Sequence, residues 1–250
     1  SWAPAEAFAG IGGRGAEDAW YSLGLDFEEV KLTGQNLSGA ITDIFKFFEQ
    51  IPRIFIVLLL AHGGCPLGLL NAYMGFHDNM TYRNSIAGGL GAEHTHQCGI
   101  PQGCPLSMTF ICLYLTPWVH LVKHSGAHPR ILADDILLTA TGQMHEAILS
   151  DCLNLTLDFM HDVGDKVATS KSLLFSNLPA TRRRMTHHVW PALNTTLAVA
   201  NSFRDLGSHA SVRPNLIGST LIERLHQTHR DLTRWRYLNI SFADKAKLVQ

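Results

Sequence analysis

At 250 residues, 46% hydrophobic and 16% charged, the chain has the length and apolar content for one large domain or two small ones, which excludes disorder over most of it. The formal net charge of −1 conceals a split: residues 1–181 hold nine Lys or Arg against 17 Asp or Glu, whereas 182–250 hold 11 against four. The longest apolar run, Ile54 to Ala61, is far below the roughly 18 residues of a membrane span, and five irregularly spaced cysteines without a C-x-x-C pair suit reduced thiols in an intracellular setting.

In chain order, Ala19, Trp20, Leu23, Phe27 and Val30 fall at helical spacing, with Glu17 and Asp18 in the first turn where they favour the helix dipole. Residues 39–44 read as a short strand. Pro52 opens an apolar helix that Gly63-Gly64 closes, and Pro66 starts another. Residues 80–87 and 91–98, separated by Gly88-Gly89, form a predicted hairpin, and His94, His96 and Cys98 alternate onto one of its faces without an evident fourth ligand for zinc. A loop at 99–105 leads into a helix towards His124, which Pro117 is expected to kink. Residues 142–163 make an amphipathic helix stopped by Gly164, and 173–176 and 202–206 read as strands. Arg182-Arg183-Arg184 lies in a poorly patterned segment between Pro179 and Pro191 and reads as a loop or insertion, and a helical pattern with Arg224, Arg230, Arg234 and Arg236 returns from Leu221. Helices interspersed with hairpins predict an α+β fold.

The chemistry concentrates at Ile131 to Ala140, where an apolar run is cut by Asp134-Asp135 and then resumes. Side chains alternate along a strand, so adjacent residues reach one pocket together only at a turn, and this pattern is a hairpin presenting two acids. Ionised carboxylates side by side against apolar surface are costly without a cation, and a divalent metal with oxygen ligands, magnesium first, is the usual partner. A basic end joined to an acidic body fits the same picture, one part meeting a polyanion and the other holding metal.

Asp43, the Gly-Ile-Pro-Gln-Gly-Cys-Pro-Leu-Ser loop at 99–107 and Leu132-Ala133-Asp134-Asp135 together resemble, in order and spacing, the palm of reverse transcriptases. The nearest likeness is to LINE-like, non-LTR retrotransposon enzymes. Asp43 to Glu49 resembles the family's first palm motif, Ser170-Lys171-Ser172 the motif that supplies a lysine, Phe203 to Gly207 the strand that grips the primer, and Gly12 to Ala19 the segment before the palm. The chain differs from common members at Leu132, Met108 and Glu49, where an aromatic residue, proline and aspartate are usual.

The resemblance implies a polymerase palm with a small antiparallel sheet backed by helices over 39–210, partial fingers over 1–38 and the start of a basic helical thumb over 211–250. It implies RNA-directed DNA synthesis: an RNA template, a DNA primer, deoxynucleoside triphosphates, and two Mg2+ ions (Mn2+ in their place) roughly 3.5–4 Å apart. Asp43 and Asp134 are expected to bridge the ions, with Asp135 supporting and the Ile44 carbonyl adding a ligand. Lys171 is expected to protonate the leaving pyrophosphate, Phe48 to lie under the incoming sugar, Gln102 and Gly103 to meet template or nucleotide, and Arg14 to stand near the template. Family members carry a basic fingers segment upstream, so the chain is expected to be a piece of a longer polyprotein working in the nucleus. Two other readings are a non-catalytic retroelement remnant that binds RNA and another palm polymerase; Phe48 and the Gln102 loop favour the reverse transcriptase.

Overall fold

The structure is a computed structural model and describes residues 3–205, 208–212, 222, 225–230 and 233. The chain divides into two compact units, 1–201 and 202–250.

The first unit opens with helix α1, Ala16–Thr33, whose start is fixed by the Asp18 carboxylate reaching back to the Gly15 N–H at 2.8 Å and whose end is Gly34 at φ +67°. Ala19, Leu23 and Val30 are buried as the spacing predicts, but Trp20 lies on the outer flank. Strand β1, Leu37–Asp43, follows, buried along its whole length. Next come α2 (Phe47–Gln50), α3 (Arg53–His62) and α4 (Leu67–Asp78), the last two each preceded by a proline in extended conformation. The hairpin β2 (Tyr82–Ile86) and β3 (Gly89–His94) matches its expected place, but β3 stops at His94, so Cys98 has left the strand that would align it with the histidines.

Helix α5, Ser107–His124, runs through Pro117 as one element. It leads to β4 (His128–Leu132), β5 (Asp135–Thr141) and α6 (His145–Val163), which Gly164 ends at φ +86°. Then follow β6 (Leu173–Ser176), α7 (Pro179–His187) and β7 (Ala198–Ala200). The arginine triplet therefore sits on a helix rather than in a loop. Only Thr181 and Met185, four apart, are buried on it, too few to write an apolar period into the sequence.

The sheet order is β4-β5-β1-β6-β7. It is antiparallel, as expected, except at its edge, where β7 runs parallel to β6. Alternation gives each face its task. Ala40, Ile44, Ile136, Leu138 and Ala140 pack into the core with α5 and α6. On the other face the Phe175 ring crosses Gly39, where an added Cβ would lie 2.1 Å from it, and meets Phe27 of α1 edge-on at 5.9 Å. Arg130 of β4, buried, binds Asp26 and Ser22 of α1 and Thr139 of β5, anchoring the helix there. The edge of β4 is covered by the N-terminal segment, since Ile131 exchanges backbone bonds with Glu6 and Phe8.

In the second unit, β8 (Ser202–Asp205) and β9 (Ser208–Ser211) form an antiparallel pair, and residues 222, 225–230 and 233 are helical. Leu206 and Gly207 of the primer-grip motif, and most of the thumb expected over 211–250, lie outside the described residues.

Candidate active site

β1 ends at Asp43, and in the antiparallel register Asp43 stands directly opposite Asp135, the first residue of β5. The Asp43 N–H donates to the Ser172 hydroxyl at 3.2 Å and its carbonyl accepts from the Ala168 N–H at 2.8 Å, so its backbone is turned towards the β6 side. Facing β5 it is thus in the non-hydrogen-bonded kind of pair, the closer of the two, with Cα atoms about 4.5 Å apart and side chains on one face. Two carboxylates so opposed repel each other. α1 packs on this face through Phe27 on Phe175 and through Ser22 and Asp26 on Arg130.

Lys171 answers the repulsion. Its Nζ lies 3.0 Å from Asp43 Oδ2. The ammonium pKa is raised, chiefly by that contact, with smaller pulls from Asp134 and Asp135. Asp43 is 8% exposed, so its Oδ2 meets the Lys171 ammonium at the edge of the buried sheet. Asp134 occupies the second position of the Ala133-Asp134 turn closed by the Leu132 and Asp135 pair, and Ala133 takes φ +58°. The expected picture of two acids at the tip is thereby amended: Asp134 is in the turn, while Asp135 is in the strand and aligned with Asp43.

Ile44 makes a β-bridge with Val167, flanked by bonds from Phe45 N–H to Lys166 and from Ala168 N–H to Asp43. In such a bridge the central residue's own N–H and C=O point away from the partner, here towards the β5 side where the acids lie. The carbonyl expected to serve as a ligand therefore faces them. Among the described residues, however, no three His, Cys, Asp or Glu side chains converge as a chelating group. The backbone gathers Asp43, Asp135, Asp134 and Ile44 into one corner without closing three carboxylates onto one point.

Beside this corner, Phe47 turns into the core against Tyr114, whereas Phe48 stays half-buried, its ring 6.3 Å from that of Phe47. The 99–107 loop docks onto the backbone of Phe48: Ile100 N–H donates to the Phe48 carbonyl at 2.6 Å and Gly99 N–H to Ile51 at 2.8 Å. A Cβ on Gly99 would meet Phe48 and Glu49 backbone atoms at 2.8–2.9 Å, and φ is +87°. Close backbone approach thus belongs to Gly99. Gly103, expected in that role, is at φ +90° with open space around it, and Gln102 beside it is exposed. Arg53, buried at the start of α3, donates to the carbonyls of Gly99 and Cys98 at 2.8 and 3.1 Å, so one side chain holds the loop against the first motif. The sequence did not single out Arg53, and it marked Ser172 only as a neighbour of Lys171 rather than as a support for Asp43. A lone cation opening the apolar run Arg53 to Ala61, and a serine flanking Lys171, were the available signals.

Arg14 donates to the carbonyls of Ala5 and Ala7 at 2.6 and 3.2 Å, which ties it to the segment covering β4. Behind the corner, Asp165 is buried and accepts from the Tyr114 hydroxyl at 2.8 Å, and burial pushes its carboxyl up to about 6.

A family model for "Reverse transcriptase (RNA-dependent DNA polymerase)" matches residues 8–214. The chain belongs to the reverse transcriptase family. The matched span takes in the whole five-stranded sheet and the helices that flank it. Among solved structures, an apo telomerase from Candida Tropicalis truncated from its C-terminal domain is similar at 12% identity and a TM-score of 0.46, over 78% of this chain. The chain spans 38% of the length of that telomerase chain. No curated protein matches.

Proposed function

We propose that this reverse transcriptase domain is the RNA-directed DNA polymerase of a LINE-like, non-LTR retrotransposon, extending a DNA primer on an RNA template with deoxynucleoside triphosphates. The observation carrying the reading is the register of Asp43 with Asp135 at one end of the sheet, with Lys171 ion-paired across it.

The donor set suits a hard divalent cation. It is all oxygen, and the Asp43 Oδ2 already attracts a cation, the Lys171 ammonium at 3.0 Å. Asp43, Asp134 and Asp135, with the Ile44 carbonyl, are the residues that would hold Mg2+, or Mn2+ in its place. Bound there, the two ions supply a lowered pKa for the primer 3′-hydroxyl and charge for the triphosphate. The chain's own residues do the rest. Ser172 and Ala168 fix the backbone of Asp43 so that its carboxylate is held before substrate arrives. Lys171 is exposed and keeps its proton above the ordinary lysine range, which suits a donor to the pyrophosphate oxygen as it leaves. Phe48, clamped through its carbonyl by Ile100, offers a half-buried ring that would crowd a ribose 2′-hydroxyl.

The test is primer extension on an RNA template with magnesium. Asp43→Asn and Asp134→Asn are each expected to reduce extension to background while the fold, followed by circular dichroism, is retained. Wild-type extension by either variant would overturn the assignment. Phe48→Ala is expected to lower the preference for deoxynucleotides over ribonucleotides tenfold or more, on the order of what one close contact contributes; an unchanged ratio would remove Phe48 from the sugar site.

A further inference from the structure

The three consecutive arginines of α7 do three different things. Arg182 donates to the Ser176 carbonyl at the end of β6. Arg184 is clamped through Nε and Nη2 on Glu146 of α6, beside Thr181. Arg183 is exposed and has neither hydrogen bond nor ion pair among the described residues. His187 lies four residues on, on the same face of the helix, and with Ala180, Arg183, Arg184 and His188 it lines a shallow depression of about 590 Å³. The chain carries no Asp or Glu between Asp165 and Asp205.

The place of this depression separates it from the catalytic corner. β6 ends at Ser176, opposite Ser38, and β1 runs from there five residues to Asp43, roughly 17 Å at strand rise. α7 begins three residues past Ser176, so it stands at the other end of the sheet from the acids. A membrane surface is a poor match, because an interfacial helix needs an outward apolar face, and the buried residues of α7, Thr181 and Met185, point inward. A guanidinium with all its donors free, flanked by a second arginine and two imidazoles in a concavity, matches the oxygens of a phosphodiester chain.

We propose that the α7 depression is a second nucleic-acid contact, remote from Asp43, that binds the phosphate backbone of RNA lying outside the reacting duplex through Arg183 and His187, with the Glu146-paired Arg184 beside them. The choice of RNA rests on the reverse transcriptase reading. The contact itself rests on the charge and shape of α7. It would hold a template after or before the stretch being copied, and would act on affinity and processivity rather than on the chemical step.

The experiment is fluorescence anisotropy of the full chain with two probes, an RNA of about 30 nucleotides and a hairpin primer–template of about four base pairs, which at roughly 3.4 Å per step is about 14 Å long and so shorter than the roughly 17 Å from Asp43 to the far end of the sheet. Arg183→Glu is expected to weaken binding of the long RNA at least fivefold at moderate salt, to lower the log–log salt slope by about one, and to leave the short duplex and its extension unchanged. Arg183→Lys should stay near wild type. Unchanged long-RNA affinity and slope in Arg183→Glu would overturn the proposal, as would an equal loss on the short duplex, which would make the patch part of the catalytic cleft. So would an unaltered RNA affinity accompanied by lost binding to phosphatidylserine vesicles. A wild-type chain that binds long RNA in an Arg183-dependent way but extends no primer keeps the α7 contact and removes the polymerase reading. Normal extension with an indifferent Arg183→Glu does the reverse.

Discussion

Lys171 occupies a position that only an acidic neighbourhood makes favourable. Its side chain is exposed, so the contact with Asp43 contributes little to folding, yet it fixes where the ammonium stands. Removing it should therefore separate catalysis from stability. Lys171→Ala is expected to lower the extension rate by about 10²- to 10³-fold, in the range of a lost general acid, with the melting temperature moved by no more than a degree or two. A rate within threefold of wild type would show that the lysine is a counter-charge and nothing more. Gly99 makes the opposite case, where the residue matters because of what it lacks. Gly99→Ala places a methyl group 2.8–2.9 Å from Phe48 and Glu49 backbone atoms at a φ that L-residues avoid, so the loop must lift off. The expected cost is about 2 kcal/mol or more, with the affinity for nucleotide falling alongside. Chemical denaturation checks the first and nucleotide titration the second.

At the scale of elements, what was legible in the sequence depended on whether one residue or a period carried the signal. β1, α5, α6 and the hairpin at 131–140 were legible because apolar runs of definite period flank punctuating residues, and two acids break an otherwise continuous apolar stretch, although the turn itself is Ala133-Asp134. Asp43 alone said nothing. It became a candidate through the family motifs around it, and only the register shows that it stands opposite Asp135 rather than Asp134. α7 was illegible because its inward face is two residues wide, and the parallel pairing of β7 because a three-residue strand leaves no trace of direction. Arg53 was hidden by its own usefulness. A cation that satisfies the carbonyls of a distant loop leaves no local pattern, and the 45- and 46-residue separations to Cys98 and Gly99 exist only in the fold. Arg53→Met keeps most of the aliphatic packing but strands the buried Gly99 carbonyl and the partly buried one of Cys98, and is expected to destabilise by about 1–3 kcal/mol and to raise protease cleavage within residues 98–107 first. Uniform cleavage along the chain would mean that Arg53 does not specifically hold this loop.

At the scale of the whole molecule, Asp165 ties stability to pH. It is buried, its Oδ1 has no hydrogen-bond partner, and its Oδ2 accepts from Tyr114, which packs edge-on against Phe47 and Phe55. Burial raises the carboxyl from 3.8 to about 6, so between those values the folded chain holds a proton that the unfolded chain has released. Stability from this group is therefore greatest below pH 4 and falls as pH rises to about 6, the reverse of a salt-bridged acid. A shift of this size corresponds to about 3 kcal/mol as an upper bound, since each unit is worth about 1.4 kcal/mol. The strain sits where it has an effect, because Asp165 immediately precedes the Lys166 to Ala168 segment that hydrogen-bonds Phe45 and Asp43. Asp165→Asn retains an acceptor for Tyr114 and abolishes the titration. It is expected to match wild type in urea denaturation near pH 4 and to exceed it by about 2 kcal/mol near pH 7.5, the difference growing between pH 4 and 6. A constant difference across that range would mean that the carboxyl does not titrate in the folded chain, and the strain beneath the catalytic strand would have to come from elsewhere.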